Sequence, residues 1–349
     1  MQGRIYLDHA ATTPLLPAAR EAMAEALARW HNPSSPHAEG RAAKAALEEA
    51  RERIAAALGW GGKVVFTSGA SEALAIALTR GRGTPRFVSA VEHDAVFRAA
   101  PGAARLPAGS DGIVDLSAVE GQRPLVAVQH ANNETGILQP LDRILEAVRE
   151  KGGILLADCA QTAGKLPLPD AHMIAISAHK FGGPPGIGAL LLRELDLLEA
   201  IGGQEQGYRP GTENLPAIAG MAAALEAGGA WMAHAEALRR RLEKAIRASG
   251  GEVVGGDSPR IASIGAYRMP GVAANAQLIQ FDMAGMAVSA GSACSSGSLK
   301  PSHVLGALGW DEAAAREVVR VSFGPSTTEE EVDRFAELWT NMAEKRRAA

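Results

Sequence analysis

The stretch IAISAHKFGGPPGIG, residues 174–188, passes from an apolar run through one lysine into a cluster of glycines and prolines. The apolar part reads as a buried strand and the Gly/Pro part as a turn, which puts Lys180 at the strand's end. An ammonium at such a place loses hydration, so its pKa falls and the amine becomes free for imine chemistry. A lone lysine on a loop is more often a plain surface residue, so the reading needs partners. Upstream, GILLAD (153–158) is a second short apolar strand, and it ends on Asp158. The two residues are 22 positions apart (180 − 158), room for a loop and one intervening strand. By itself an acid at a strand end is as often a helix cap.

A third element lies near the N-terminus. KVVFT (63–67) reads as a strand, and SGASE (68–72) opens a helix that continues through Leu78. Backbone N–H groups at that helix start, joined by the Ser71 hydroxyl, would cradle an anion. No GK[ST] follows and no GxGxxG occurs here, so the element is neither a P-loop nor a dinucleotide fingerprint. An amine, an acid and an anion cradle on neighbouring strand ends suit pyridoxal phosphate, whose aldehyde, ring nitrogen and phosphate need one each.

Composition excludes several other classes. The 349 residues, 47% hydrophobic, can bury a large core and exceed the usual single-domain size, so two lobes are expected. A net charge of −4 gives no reason to expect nucleic acid. No signal-peptide pattern and no apolar stretch of about 18 residues occurs, so no membrane is expected. The two cysteines, Cys159 and Cys294, fit neither a disulfide framework nor a zinc motif and suggest a reducing, cytoplasmic location.

Along the chain, strand-like runs at Lys63–Thr67, Arg86–Ala90, Leu125–Gln129, Ile154–Asp158, Met173–Ser177 and Ile187–Leu192 alternate with other segments. The helical or turn-rich ones include Ala38–Leu58, Ala70–Leu78 and Leu141–Lys151. Such alternation predicts an α/β fold with a mostly parallel sheet covered on both faces. The Ala-rich stretch Leu215–Ala248 would link the lobes, and Arg260–Tyr267, Ala274–Phe281 and Glu317–Phe323 would build a smaller second unit.

Ten segments, in order, resemble cysteine desulfurases of the NifS/IscS type, within the class V aminotransferase family of pyridoxal-phosphate (PLP) enzymes. They are YLDHAATTP (6–14), NPSSPH (32–37), FTSGASEALAIA (66–77), EHDAV (92–96), NNETGILQP (132–140), DCAQTAGKLP (158–167), SAHKFGGPPGIGAL (177–190), GGQEQGYRPGTEN (202–214), SAGSACSSGSLKPSHVLGALG (289–309) and VRVSFGPSTTEEEVD (319–333). The resemblance implies PLP-dependent transferase fold type I. A large domain at 13–232 would bind the cofactor, and residues 1–12 with 233–349 would form a smaller C-terminal α/β domain. It also implies site roles. Lys180 would form the imine, Asp158 would pair with the pyridinium and Gln161 would reach the phenolic oxygen. His93 would stack on the ring and serve as an acid/base group. Ala70, Ser71, Ser177 and His179 would hold the phosphate, with Thr212 reaching in from the partner of a homodimer. Asn133 would contact cofactor or substrate, and Arg320, assisted by Asn32, would clamp the substrate carboxylate, since a guanidinium matches a carboxylate bidentately. His130 and His172 read as core or surface residues, and His9, His31, His37, His234 and His303 receive no role. The usual Thr of the phosphate turn is Ser71 here, and Pro185 stands where a lysine is common.

Cys294 bears on the reaction. It lies in SAGSACSSGSLKPS (289–302), a run too polar to pack and too rich in Gly and Ser to be stiff, which predicts an exposed, movable thiol. Cys159, inside the DCAQ strand end, suits a buried structural role instead. The implied activity is conversion of L-cysteine to L-alanine with sulfur passed to Cys294 as a persulfide. From there it would go to an acceptor protein for iron–sulfur cluster or other sulfur-containing cofactor synthesis. No resident metal is expected, although Cys294 is a candidate transient iron–sulfur ligand. Rival readings are another class V chemistry (aminotransferase, selenocysteine lyase or cysteine sulfinate desulfinase) and a non-catalytic module of the same fold. The chain stops at Ala349 without the tail by which housekeeping members dock their scaffold, which leaves the acceptor open.

Overall fold

The structure, a computed structural model, describes residues 3–29, 31–290 and 301–348. Its strands are β1 (Ile5–Tyr6), β2 (Lys63–Thr67), β3 (Arg86–Ser89), β4 (Ala104–Leu106), β5 (Leu125–Gln129), β6 (Ile154–Asp158), β7 (Met173–Ser177), β8 (Gly188–Leu192), β9 (Glu252–Val253), β10 (Ile264–Arg268), β11 (Met286–Ala287) and β12 (Val318–Ser322). Seven form one sheet in the order β2-β8-β7-β6-β5-β3-β4. Strands β3 to β7 run parallel, while β8 is antiparallel to both neighbours. The sheet is therefore mostly parallel, as the alternation of elements predicts.

Every residue of β5, β6, β7 and β8 is buried, which requires cover on both faces. Alternate side chains supply the two contacts. Val126, Val128, Leu155, Ile174 and Ile176 share a core with helices Ala38–Ala57 and Leu215–Glu226. Ala127, Leu156, Ala175 and Leu190 pack with helices Ala70–Arg80 and Asp94–Ala99. At roughly 1.5–3 kcal/mol for each large apolar side chain removed from water, these two layers dominate the stability of the region. They also hold the strand ends rigid.

A second core gathers Tyr267, Phe281, Phe323, Phe335 and Trp339 against helices Met232–Ala248, Ala274–Met283 and Glu329–Ala348. Phe281 and Phe335 stack with ring centroids 4.5 Å apart. This core lies on the antiparallel sheet β12-β10-β9. The N-terminal segment joins it: β1 pairs in parallel with β11, and Asp8 bridges Ser322 at the end of β12.

Some element bounds differ from the sequence reading. The run Arg86–Ala90 leaves the strand after Ser89, and Ile187 precedes β8. The stretch Leu215–Ala248 is two helices, because Gly228, at φ +69°, and Gly229 interrupt it. Gly229 has a packing reason as well, since a Cβ there would lie 2.6 Å from the Lys165 carbonyl oxygen. Among the described residues no helix is long and apolar enough to cross a membrane.

Candidate active site

The C-terminal ends of β5, β6 and β7 and the start of helix Ala70–Arg80 open on one cleft of about 700 Å³. Its walls include Lys180, Asp158, Gln161, His93, Asn133, Ser177, His179, Ala70, Ser71 and Arg320. Folding thus converges residues from six sequence segments. Two residues marked in the sequence are not among them: Asn32 and Thr212 are both exposed and line no part of this chain's cleft. Asn32 uses its side chain locally, accepting the Ser34 N–H at 2.8 Å. Cys294 lies outside the described residues.

Lys180 ends a short 3₁₀ turn directly after β7. Its Nζ donates to the carbonyls of Ala10 at 2.7 Å and Ala11 at 2.8 Å. Burial and the nearby Arg320 guanidinium lower its pKa to about 8. Asp158 ends β6, buried, and accepts the Ala160 N–H at 2.9 Å. Burial raises its pKa, while His93 and Lys180 act in the opposite direction. This carboxyl therefore ionises best against a cation.

His93 does two things. Its Nδ1 accepts the Ala95 N–H at 3.2 Å and caps helix Asp94–Ala99, so the neutral ring presents Nε2–H. Burial lowers its pKa. Capping and a place in the cleft, which look like alternatives in the sequence, coexist. Gln161 donates from Nε2 to the Ala10 carbonyl at 2.9 Å, and its Oε1 is buried without a partner. His179 pairs through Nδ1 with the Thr12 hydroxyl at 3.2 Å, and burial brings its pKa to about 4. It is neutral at pH 7.

One end of the cleft is built from backbone. Helix Ala70–Arg80 starts at Gly69, which offers no side-chain cap, so the first N–H groups of the helix keep their hydrogen-bonding capacity and the positive end of its dipole. Gly69 sits at φ +153°, a conformation that side-chain-bearing residues avoid, and a Cβ there would approach the Ser177 hydroxyl to 3.3 Å.

Arg320, on β12, is buried. Its Nη2 donates to Asp8 Oδ1 at 2.7 Å and its Nη1 to the Asn133 carbonyl at 2.9 Å, while Nε is buried without a partner. Asp8 belongs to the YLDHAATTP segment but carried no assigned role. Glu134 and His303 also line the cleft unforeseen: Glu134 accepts a hydrogen bond from the Ser302 hydroxyl, and His303 Nε2 lies 2.9 Å from the Glu92 carbonyl. Burial raises the pKa of Glu134. Cys159 is fully buried with its thiol pKa pushed up by burial, as its strand-end position predicts. No group of three or more His, Cys, Asp or Glu suited to a metal exists among the described residues.

The profile of the Aminotransferase class-V family matches residues 5–335. The chain belongs to the class V aminotransferase family. A cysteine desulfurase of Klebsiella pneumoniae is 38% identical over 95% of this chain and 90% of its own. An IscS-like cysteine desulfurase of Mycobacterium tuberculosis is 37% identical over 99% and 98%. The solved NifS-like protein of Rickettsia africae superposes with a TM-score of 0.87 at 28% identity, covering 98% of this chain and 99% of that one. Class V enzymes of this kind are PLP-dependent transferases of fold type I, and this chain is such an enzyme.

The residues present fit that cofactor. A buried carboxyl, an amine with a lowered pKa and an uncapped helix start share one cleft, and the buried Gln161 Oε1 and Arg320 Nε have unused hydrogen-bonding capacity there.

Proposed function

We propose that this class V enzyme is a cysteine desulfurase: L-cysteine and the Cys294 thiol become L-alanine and a Cys294 persulfide. One observation carries the reading. A single cleft joins an amine for a carbonyl group, an acid for a ring nitrogen, an anion cradle and an arginine for a carboxylate.

Bound PLP supplies an electron sink for the pair left on the substrate Cα when its proton departs. The N–H groups of Ala70 and Ser71, with Ser177 and His179, would hold the phosphate; Thr212, exposed in its own chain, would serve a second copy. Asp158 gains a cationic partner in a protonated ring nitrogen, which offsets the cost of its burial. Gln161 has a second amide N–H for the phenolic oxygen. At its lowered pKa, roughly a tenth of Lys180 is free amine at pH 7, enough to act as nucleophile and then to move the Cα proton. His93 would serve the bound cofactor as an acid/base group, with Nε2–H as the donor. Arg320, whose Nε is without a partner while Asp8 holds Nη2, would take the substrate carboxylate, with Asn133 in the same cleft wall. The Cys294 thiolate attacks the substrate sulfur, the Cβ–S bond breaks and leaves its pair on Cβ, Cβ takes a proton, and Lys180 returns the proton it took to Cα to complete alanine.

The same reading makes the enzyme a cytoplasmic homodimer that hands sulfur to an acceptor protein for iron–sulfur cluster or related cofactor synthesis. We divide the chain at 13–232 and 1–12 with 233–349. The pairing of β1 with β11 and the separate aromatic core support that division.

The test is product analysis of holoenzyme given L-cysteine, or alanine with an oxoacid. Equimolar alanine and sulfide with thiol reductant present, and no transamination, is the expected result. Transamination without sulfide release would replace the reading with an aminotransferase.

A further inference from the structure

The segment from Gly202 to Thr212 is fastened to the body of the molecule far more tightly than an exposed loop requires. Glu205 is its central bolt. The Glu205 side chain is wholly buried and takes both guanidinium arms of Arg51, Nη1 at 2.8 Å and Nη2 at 3.0 Å. The same carboxylate accepts the Phe66 N–H at 2.8 Å. Phe66 lies on β2, two residues before the Ser68-Gly69 turn that opens the phosphate cradle.

Two further bolts flank it. The Arg80 Nη2 donates to the Tyr208 carbonyl, and Arg209 pairs at 3.1 Å with Glu72, a cradle residue that itself accepts the Ser68 N–H. The backbone is forced where the carboxylate enters: Glu205 and Gln206 sit at φ +48° and +58°, left-handed conformations that non-glycine residues adopt at a cost. A strained turn held by a buried bidentate ion pair is a built feature, and its cost needs a use. The tip provides one. Pro210, Gly211 and Thr212 are all exposed, directly beyond the three bolts, and face none of this chain's own cleft.

We infer that Glu205 is a positioning residue that locks this loop so that its tip meets the phosphate held in the cleft of a second copy of the chain. The inference rests on the dimer proposed above and adds to it the residue that makes the contact rigid. The carboxylate ties one chain's own cradle, through Phe66, to the segment that completes its partner's. Arg51 supplies the opposite charge and two of the hydrogen bonds that a carboxylate at that depth requires.

The experiment measures how fast holoenzyme releases cofactor to a scavenger, following the visible absorbance of cofactor joined to Lys180. Glu205→Gln should release it about tenfold faster than the parent, the loss expected for one charge-assisted contact, with folding and molecular mass unchanged. The double variant Arg51→Met/Glu205→Gln strands no buried charge and answers the question if the single variant unfolds. Glu205→Gln subunits are then mixed with an excess of Lys180→Ala subunits, which contribute no such absorbance. In mixed dimers the intact loop of the Lys180→Ala subunit serves the Glu205→Gln cleft, and release should return to the parental rate. Parental release by Glu205→Gln itself would overturn the inference. So would failure to recover in dimers shown to be mixed, which would confine Glu205 to its own chain. A parental protein that is monomeric by mass would overturn the dimer reading and this inference together.

Discussion

Arg320 and Asp8 form an ion pair at 2.7 Å in the wall of the cleft, so the guanidinium that suits a substrate carboxylate already holds a carboxylate of its own. The pair brackets Lys180 electrically: Arg320 lowers the lysine's pKa and Asp8 raises it. Combination of apoenzyme with PLP requires the free amine, so its rate should climb with pH and level off above about 8. Arg320→Met should move that midpoint up and Asp8→Asn should move it down. Midpoints that stay together in both variants would show that neither group acts on Lys180. The check is stopped-flow absorbance across a pH series.

Arg320→Lys keeps the charge but removes the planar fork. KM for L-cysteine should rise roughly tenfold or more, the worth of one charge-assisted hydrogen bond, with kcat changed much less. Steady-state kinetics with alanine detection measure the split, and an unaltered KM would remove Arg320 from substrate binding.

His130 is half-buried against the Thr162 hydroxyl, with a pKa lowered to about 4 by loss of hydration. In the unfolded chain it titrates near 6.5. Between those values the unfolded state binds more protons, so this residue contributes a loss of stability as pH falls from about 6.5 toward 4. Thermal melts of His130→Gln against the parent should show a shallower decline in that interval. Parallel curves would assign the decline to other groups, such as His9 and His179, which share the direction.

Cys159 is fully buried in the sheet core, and its thiol is held protonated by burial. Of the two cysteines, a thiol reagent should spare this one until the protein unfolds. Cys159→Ala should cost about 1–2 kcal/mol of stability and leave sulfur transfer intact. Peptide mapping after alkylation settles both points; rapid labelling of Cys159 in native protein would contradict the packing.

The ends of β6 and β7 that open on the cleft are legible in the sequence because Lys180 and Asp158 each terminate a short apolar run whose period and punctuation are local signals. The helix start at Gly69 is legible for the same reason. Asp8 and Glu134 are not, because nothing in their neighbourhoods distinguishes them from surface acids. Their burial and partners, Arg320 and Ser302, come from segments more than 150 positions away. His93 shows a subtler limit: local sequence presents cap and ligand as alternatives, and only the fold shows one ring nitrogen doing the first while the other stays free. The antiparallel course of β8 is equally invisible locally, since a buried strand reads the same in either direction.

The most direct measurement of the central claim is mass spectrometry of holoenzyme mixed with L-cysteine and digested without reductant. The peptide that carries Cys294 should gain the mass of one sulfur atom, in step with alanine formed in the first turnover, and the gain should vanish on reduction. Alanine and sulfide appearing at full rate with no such gain, or from a Cys294→Ala variant, would contradict the account.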